Sequence, residues 1–205
     1  MLTRLSASVP RGAFTEAQTQ MPRDSLPAQQ QADEVQTHSI GEAKAPCVQQ
    51  GVAYWRSLCG QARFPARADL TLRGMARVLP HSVIIEVLDR GADYEYRYVG
   101  DIQRQAFNTD FKGVRVTQIE AIAPKLGGVL RAAYERARST GEPFITRGRI
   151  EHDLPGEKFL YHETAFLPLG EDGHTVDHLL IVGVQVPEPF WDIPPDKLQT
   201  LAAAR

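Results

Sequence analysis

The side chains with the clearest potential for chemistry stand on two stretches of the chain that alternate polar and apolar residues. Arg147, Arg149 and Glu151 occupy every second position of the first stretch, and His162 and Glu163 lie in the second. If the two stretches form a hairpin whose opposing residue numbers sum to about 311, Arg149 faces His162 across the ladder. Such a cationic pair, turned toward a cavity, would hold an anionic ligand. The same charges also suit the solvent face of an edge hairpin, where they prevent association between sheets, so both interpretations stay open.

Signatures of catalysis and metal binding are missing from the sequence. It contains no GxxxxGK(S/T) phosphate loop, no HExxH, no CxxC pair and no GxSxG elbow. His152 and His162 lack a third ligand at a supporting spacing, so we expect no metal site. His162 and Glu163 are adjacent and point to opposite faces of a strand, which argues against an acid-base dyad. We therefore expect no catalytic residues and no cofactor.

Composition and charge restrict the class of protein further. The chain has 205 residues, 42% of them hydrophobic, and its 23 basic and 25 acidic side chains leave a formal net charge of -2. This balance provides no field that would attract nucleic acid, and no run reaches the roughly 18 apolar residues of a membrane span. Cys47 and Cys59 lie in one predicted helix at a separation of roughly 18 Å, which exceeds the limit of about 7 Å for a disulfide. Two reduced thiols predict a cytoplasmic protein.

Three regions follow from the distribution of apolar residues. Residues 1–46 contain one aromatic side chain, Phe14, against four prolines and six glutamines, a composition typical of a disordered arm. Residues 47–186 carry periodic apolar patterns and form the predicted domain. Residues 187–205 form a proline-rich tail that we expect to lie as an extended strap.

The predicted domain begins with an amphipathic helix that ends at Gly60. Val48, Val52, Trp55 and Leu58 form its apolar stripe. This stripe either docks on the sheet of its own chain or pairs with a second copy. We expect the second arrangement, a homodimer, with an interface formed by Val52, Trp55, Arg56 and Leu58.

Five strands and a long helix make up the rest of the domain. Strands are predicted at 82–89 and 94–100 as one hairpin, and at 144–151, 159–167 and 178–186 as a three-stranded meander, with the longest helix over 121–140 between them. In the second strand, Tyr94, Tyr96 and Tyr98 alternate with other residues and place three rings on one face, either as core or as the lining of a pocket. The order of elements predicts an antiparallel α+β sheet with helices over one face. The candidate pocket residues are Tyr96, Tyr98, Phe107, Arg149 and His162.

Five short segments of the predicted domain stand in a characteristic order and spacing. In chain order they are Tyr54-Trp55-Arg56-Ser57-Leu58 with Gly60, Pro65-Ala66-Arg67-Ala68-Asp69, Leu79-Pro80, Tyr96-Arg97-Tyr98-Val99-Gly100 and Gly141-Glu142-Pro143. In these segments the sequence over residues 48–186 resembles the PAS domain, most closely a bacterial group of small proteins with a single PAS domain. The resemblance implies a five-stranded sheet of order 2-1-5-4-3 whose helices enclose a cavity.

This resemblance implies a sensory or protein-interaction module. It adds Arg67 as a functional candidate, because this residue lies in one of the matching segments. The cysteine of covalent flavin-binding PAS domains has no counterpart in residues 107–111, and the helix over 121–140 lacks the axial histidine of haem-binding ones. A coumarate-binding cysteine after that helix is also missing.

We therefore expect a sensory module that binds a small molecule or a signalling protein and has no reaction of its own. One alternative is a small α+β cone enzyme of the nuclear-transport-factor-like or cyclase-like kind, which would place most of its helices before the sheet. The other is a ligand-free protein-interaction adaptor with a filled interior.

Overall fold

The computed structural model of the protein describes residues 35–151 and 159–187. Most of the predicted arm and tail, and the hairpin loop with His152, lie outside these residues. The strands are β1 (Gln36–His38), β2 (Ser82–Leu88), β3 (Asp93–Val99), β4 (Phe144–Glu151), β5 (Phe159–Leu169) and β6 (His178–Val186). The α-helices are α1 (Pro46–Cys59), α2 (Leu72–Met75), α3 (Asp101–Phe107), α4 (Val116–Ile122) and α5 (Pro124–Thr140).

The strands form one antiparallel sheet in the order β1-β4-β5-β6-β2-β3. The α+β class, the hairpin β2–β3 and the meander β4–β5–β6 are confirmed. The predicted number of five strands is wrong, because β1 adds a sixth strand beside β4 and changes the order of the complete sheet. Only three residues of β1 pair with β4, Gln36 with Arg147 through His38 with Ile145, which is too short a run to show an alternating pattern.

Helices cover both faces of the sheet, which corrects the expectation of helices over one face. Helix α1 packs against β5 and β6, whereas α5 packs against β4 and β5 and α3 against β6. Gly51 of α1 permits a close approach, since a Cβ atom there would lie 2.7 Å from a methyl group of Val182. The Trp55 indole N–H donates to the carbonyl of Pro168 at 2.8 Å. The central strands are therefore buried on both sides.

The apolar stripe of α1 belongs to the core of its own chain. Val48, Val52 and Trp55 are 0%, 3% and 4% exposed, while Leu58 is half-buried and Arg56 exposed. Val52 and Trp55 thus belong to the core of their own chain and are not available to a partner, which corrects their assignment to a dimer interface. A dimer itself stays a prediction. Docking on the chain's own sheet buries the same apolar surface without the loss of translational and rotational freedom that association entails.

The predicted long helix is two helices. Ala123 has extended backbone angles, φ -141° and ψ 74°, and separates α4 from α5, which begins with Pro124 at its first turn. The two helices cross closely at Gly127, where a Cβ atom would lie 2.7 Å from the backbone of Glu120. Gly141 ends α5 in the left-handed conformation, as the sequence predicts.

Residues 36–46, assigned by composition to a disordered arm, are folded against the sheet. The buried carboxylate of Glu163 accepts hydrogen bonds from the backbone amides of Lys44 at 2.7 Å and Ala45 at 3.2 Å. Arg147 donates from Nε to Glu163 at 3.2 Å and from Nη2 to the carbonyl of Glu42 at 2.7 Å. Most of these partners are backbone groups, so the composition of the segment does not reveal them. In the part of the chain described, no helix is both long and apolar enough to cross a membrane.

Replacement of Trp55 tests whether α1 is core. Trp55→Ala should lower the free energy of unfolding by about 3 to 5 kcal/mol, because it leaves a void under α1 and removes the donor for the Pro168 carbonyl. Urea denaturation measures the loss, and Leu72→Ala, at a side chain 78% exposed, should change it by less than about 0.5 kcal/mol. The loss should be the same at all protein concentrations. A loss that varies with concentration would place Trp55 in an interface between copies.

Candidate functional site

A cavity lies between the sheet and helices α3 and α5. Its volume is about 80 Å³, roughly half that of an apolar cavity of about 150 Å³ that holds benzene. Val35 and Val129 line it and are 43% and 44% exposed, so they mark the side on which the cavity approaches solvent. The lining residues are Val35, Val83, Tyr96, Val99, Gln103, Phe107, Phe111, Leu126, Val129, Leu130, Ala133, Tyr134, Thr146, Ile150, His162, Thr164, Phe166, Ile181 and Gln185.

The strands supply the lining through their alternation. Thr146 on β4 pairs with Thr164 on β5, and Gly183 on β6 pairs with the same threonine. Cross-strand partners point to one face of a sheet, so the residues of β4, β5 and β6 that reach the cavity come from alternate positions. The residues between them point to the opposite face, where α1 packs on β5 and β6. Residue types on the cavity face are apolar or neutral and polar, and none of the described lining residues is Asp, Glu, Lys or Arg.

His162 is the most deeply buried polar residue of the lining. Its side chain is 1% exposed, its Nε2 lies 2.9 Å from the Thr146 hydroxyl, and its Nδ1 has no hydrogen-bond partner among the described residues. Burial lowers the pKa of His162 to about 4, because the charged imidazolium is poorly solvated there. The ring is therefore neutral at physiological pH, with one nitrogen unsatisfied.

A second unsatisfied atom belongs to a residue of the neighbouring strand. Gln185 is the cross-strand partner of His162, and its Oε1 is buried without a hydrogen-bond partner in the described part of the chain. Buried polar atoms in native proteins nearly always find a partner, and an exception calls for one that the protein does not supply, such as a water, an ion or another bound molecule. These two atoms on neighbouring strands therefore mark the polar end of the cavity.

Two tyrosines close another part of the wall. The hydroxyls of Tyr96 and Tyr134 lie 2.8 Å apart, and burial raises the pKa of both phenols, so they stay protonated. The ring of Tyr96 packs against that of Phe111, with ring centroids 5.5 Å apart. Gln103 of α3 is already satisfied, because its amide donates to the carbonyls of His81 and Gly183 at 3.0 and 2.8 Å.

Arg149 does not face the cavity, which corrects the predicted pair with His162. The strands pair one residue away from the expected register, so that His162 opposes Gly148, Arg149 opposes Tyr161 and Phe159 opposes Glu151. A shift of one residue turns a side chain to the other face of a sheet. Arg149 instead lies within 3.6 Å of the carboxylate of Glu151, near the edge of the sheet.

Tyr98 is also outside the cavity, contrary to the prediction of three rings on one face. A bulge leaves Arg97 unpaired, since Ile84 pairs with Tyr98 while Ile85 pairs with Tyr96. The extra residue reverses the alternation. Val99 then takes the inward position, and the hydroxyl of Tyr98 donates to the carbonyl of Leu79 at 3.2 Å.

Of the predicted pocket residues, the structure thus brings together Tyr96, Phe107 and His162. Arg67 lies in a 3-10 turn, Arg67–Asp69, and is not part of the lining. The sequence analysis missed Thr146 and Gln185. Thr146 lies two positions after Phe144, and Gln185 lies four positions after Ile181, the partner of Val83, so both follow the alternation of their strands. Among the described residues, no group of three His, Cys, Asp or Glu side chains is placed to hold a metal ion.

The pH dependence of stability should reveal the buried imidazole. The pKa of His162 is lower in the folded protein than its ordinary value of 6.5, so the unfolded chain binds more protons between about pH 4 and 6.5. Stability is therefore complete above about pH 6.5 and should decrease by about 3 kcal/mol as the pH falls to 4. Urea denaturation of His162→Phe should lack this component of the pH dependence, and His174→Gln, at an exposed histidine, should retain it. Equal pH dependence in the wild type and His162→Phe would contradict the assignment.

Sequence comparison does not identify a family for this chain. No protein-family model matches it, and no curated protein is significantly similar. The cavity and its two unsatisfied atoms are therefore the basis on which a function is assigned.

Proposed function

We propose that the protein is a cytoplasmic sensory module of PAS type that binds a small molecule in this cavity and acts through partner proteins. The observation that carries the proposal is the pair of buried atoms His162 Nδ1 and Gln185 Oε1, which have no hydrogen-bond partner among the described residues and lie in a cavity without charged side chains in its described lining. A bound molecule that hydrogen-bonds to them removes the free-energy cost of leaving them unpaired. No chemical step is required of the protein.

The topology supports the PAS assignment. With β1 set aside, the remaining five strands lie in the order β3-β2-β6-β5-β4. Numbered along the chain, this order reads 2-1-5-4-3, the order that the resemblance implies. Helices α3, α4 and α5, which connect the second and third of these strands, lie on the cavity side.

The two alternatives are less well supported. An adaptor with a filled interior would lack the cavity and the two unpartnered polar atoms that it contains among the described residues. A cone-type enzyme would place most of its helices before the sheet, whereas β2 and β3 here precede the longest helix, α5. It would also need a carboxylate beside its histidine, but Glu163 points to the α1 face and contacts Arg147.

The contacts on the two faces of the sheet offer a route from the cavity to the N-terminal segment. Thr146 and His162 are in contact on the cavity face. Arg147 and Glu163, the next residue on each strand, are paired on the other face and hold residues 42–45. A ligand that displaces Thr146 or His162 would therefore also displace Arg147 or Glu163, the neighbouring residues on β4 and β5 that anchor the start of α1.

Blocking the cavity should abolish binding. Ala133 lines the cavity, whereas the preceding residue on the same helix, Ala132, is exposed. Native mass spectrometry of the protein purified from its own host should find a retained small molecule on the wild type and on Ala132→Phe, but not on Ala133→Phe, which fills the cavity. A compound retained equally by both variants would show that it binds elsewhere, and no compound on the wild type would argue against the proposed function.

Removal of the charge on Glu163 should loosen the N-terminal segment. Glu163→Gln keeps an acceptor for the amides of Lys44 and Ala45 but leaves Arg147 buried without a countercharge, which costs about 3 to 5 kcal/mol. Backbone amides of residues 36–46 should exchange hydrogen faster than in the wild type, and their rates should rise by a larger factor than those of α5. The matched control is Glu142→Gln at the exposed ion pair with Arg63, expected to cost less than about 1 kcal/mol. Unchanged exchange over residues 36–46 in Glu163→Gln would contradict the anchoring role.

A further inference from the structure

We infer that the cavity selects a small neutral molecule with an apolar body and one polar group that donates a hydrogen bond, such as a hydroxyl or a primary amide. This inference rests on the proposed ligand-binding function and specifies its ligand. It replaces the anionic ligand that the sequence suggests.

The charge of the ligand follows from the lining. None of the described lining residues carries a formal charge, and Arg149, the cation expected to hold an anion, lies on the other face of the sheet. His162 does not replace it, because its buried ring is neutral at physiological pH. A carboxylate or phosphate that entered this cavity would lose its hydration and gain no countercharge, which strongly disfavours binding.

The need for a donor follows from Gln185. Its Oε1 is buried and has no partner among the described residues, and an amide oxygen only accepts hydrogen bonds. Nδ1 of His162, on the neighbouring strand, has no partner there either. Since Nε2 contacts the Thr146 hydroxyl, which either donates or accepts, Nδ1 takes the complementary role. A hydroxyl donates to Oε1 and accepts from Nδ1 when Nδ1 carries the proton, whereas a primary amide serves either form of the ring, because it has two N–H donors and a carbonyl acceptor.

The apolar body follows from the remaining walls. Phe107 of α3, Leu130 of α5 and Phe166 of β5 line the cavity without polar atoms. Short aliphatic groups gain from such walls, at about 25 cal/mol per Å² of apolar surface buried. The volume of about 80 Å³ is roughly half that of an apolar cavity of about 150 Å³ that holds benzene, which restricts the ligand to a few non-hydrogen atoms, fewer than one aromatic ring contains.

Three probes of similar size test the inference: 2-propanol, isobutane and acetate at pH 7.5, with affinities measured by ligand-observed NMR on the full chain. 2-Propanol should bind about tenfold more tightly than isobutane, because it satisfies the unpaired atoms. Acetate should bind at least tenfold more weakly than 2-propanol. Acetate affinity equal to or above that of 2-propanol would overturn the inference, as would equal affinities of isobutane and 2-propanol.

Variants connect the preference to the two atoms. In Gln185→Leu and in His162→Phe, the advantage of 2-propanol over isobutane should fall to less than about threefold, while isobutane still binds. His81→Phe replaces a histidine that is not part of the lining and should keep the tenfold preference. The preference surviving in both cavity variants would overturn the inference.

The proposed function and this inference fail in different ways. A retained natural compound that is displaced by Ala133→Phe but proves to be an anion, or to lack a donor, would leave the sensory function intact and refute the ligand class. Binding of none of the three probes, together with no retained compound, would refute both.

Discussion

The buried carboxylate of Glu163 determines how the two layers of the molecule are assembled. It is fully buried and accepts hydrogen bonds from two backbone amides at the start of α1 and from the guanidinium of Arg147. A buried carboxylate is tolerated only when such partners surround it. Because its partners come from both the sheet and the N-terminal segment, α1 has one position in which they are all satisfied. In that position its apolar stripe covers β5 and β6.

Because helices cover both faces of the sheet, the buried ion pair and the cavity lie on opposite faces. Arg147 and Glu163 lie on the face that α1 covers, and Arg149 alternates to the same face. Their neighbours Thr146 and His162 lie on the other face, where α3 and α5 leave space above the sheet. The alternation of strand residues thus gives a cavity with neutral polar groups directly opposite a buried ion pair. This arrangement suits a module in which a neutral ligand on one face influences a charged anchor on the other.

Local patterns were sufficient for most of the elements. The stripe of α1, the termination of helices at Gly60 and Gly141 and the five longer strands all appear in the structure at or near the predicted positions. Tyr96, Phe107 and His162 were identified as pocket candidates and do line the cavity. Two predicted pocket residues, Arg149 and Tyr98, lie elsewhere because the strands differ from the prediction by one residue. The register of β4 and β5 is displaced by one position, which places Arg149 on the face opposite the cavity, and the bulge at Arg97 places Tyr98 outside the cavity. Neither displacement leaves a trace in the hydrophobic pattern.

By itself, the sequence determined which segments form helices and strands and which of their faces are apolar, because these properties depend on residues a few positions apart. The tertiary structure decided what each apolar face contacts. The stripe with Trp55 suits its own sheet as well as a second copy, and only the docking of α1 on β5 and β6 resolves the choice. Likewise, only the pairing of His162 with Gln185 across two strands brings to one end of the cavity a nitrogen and an oxygen that have no partner among the described residues. Contacts between distant residues arise from register and packing, which are properties of the whole sheet rather than of any one segment.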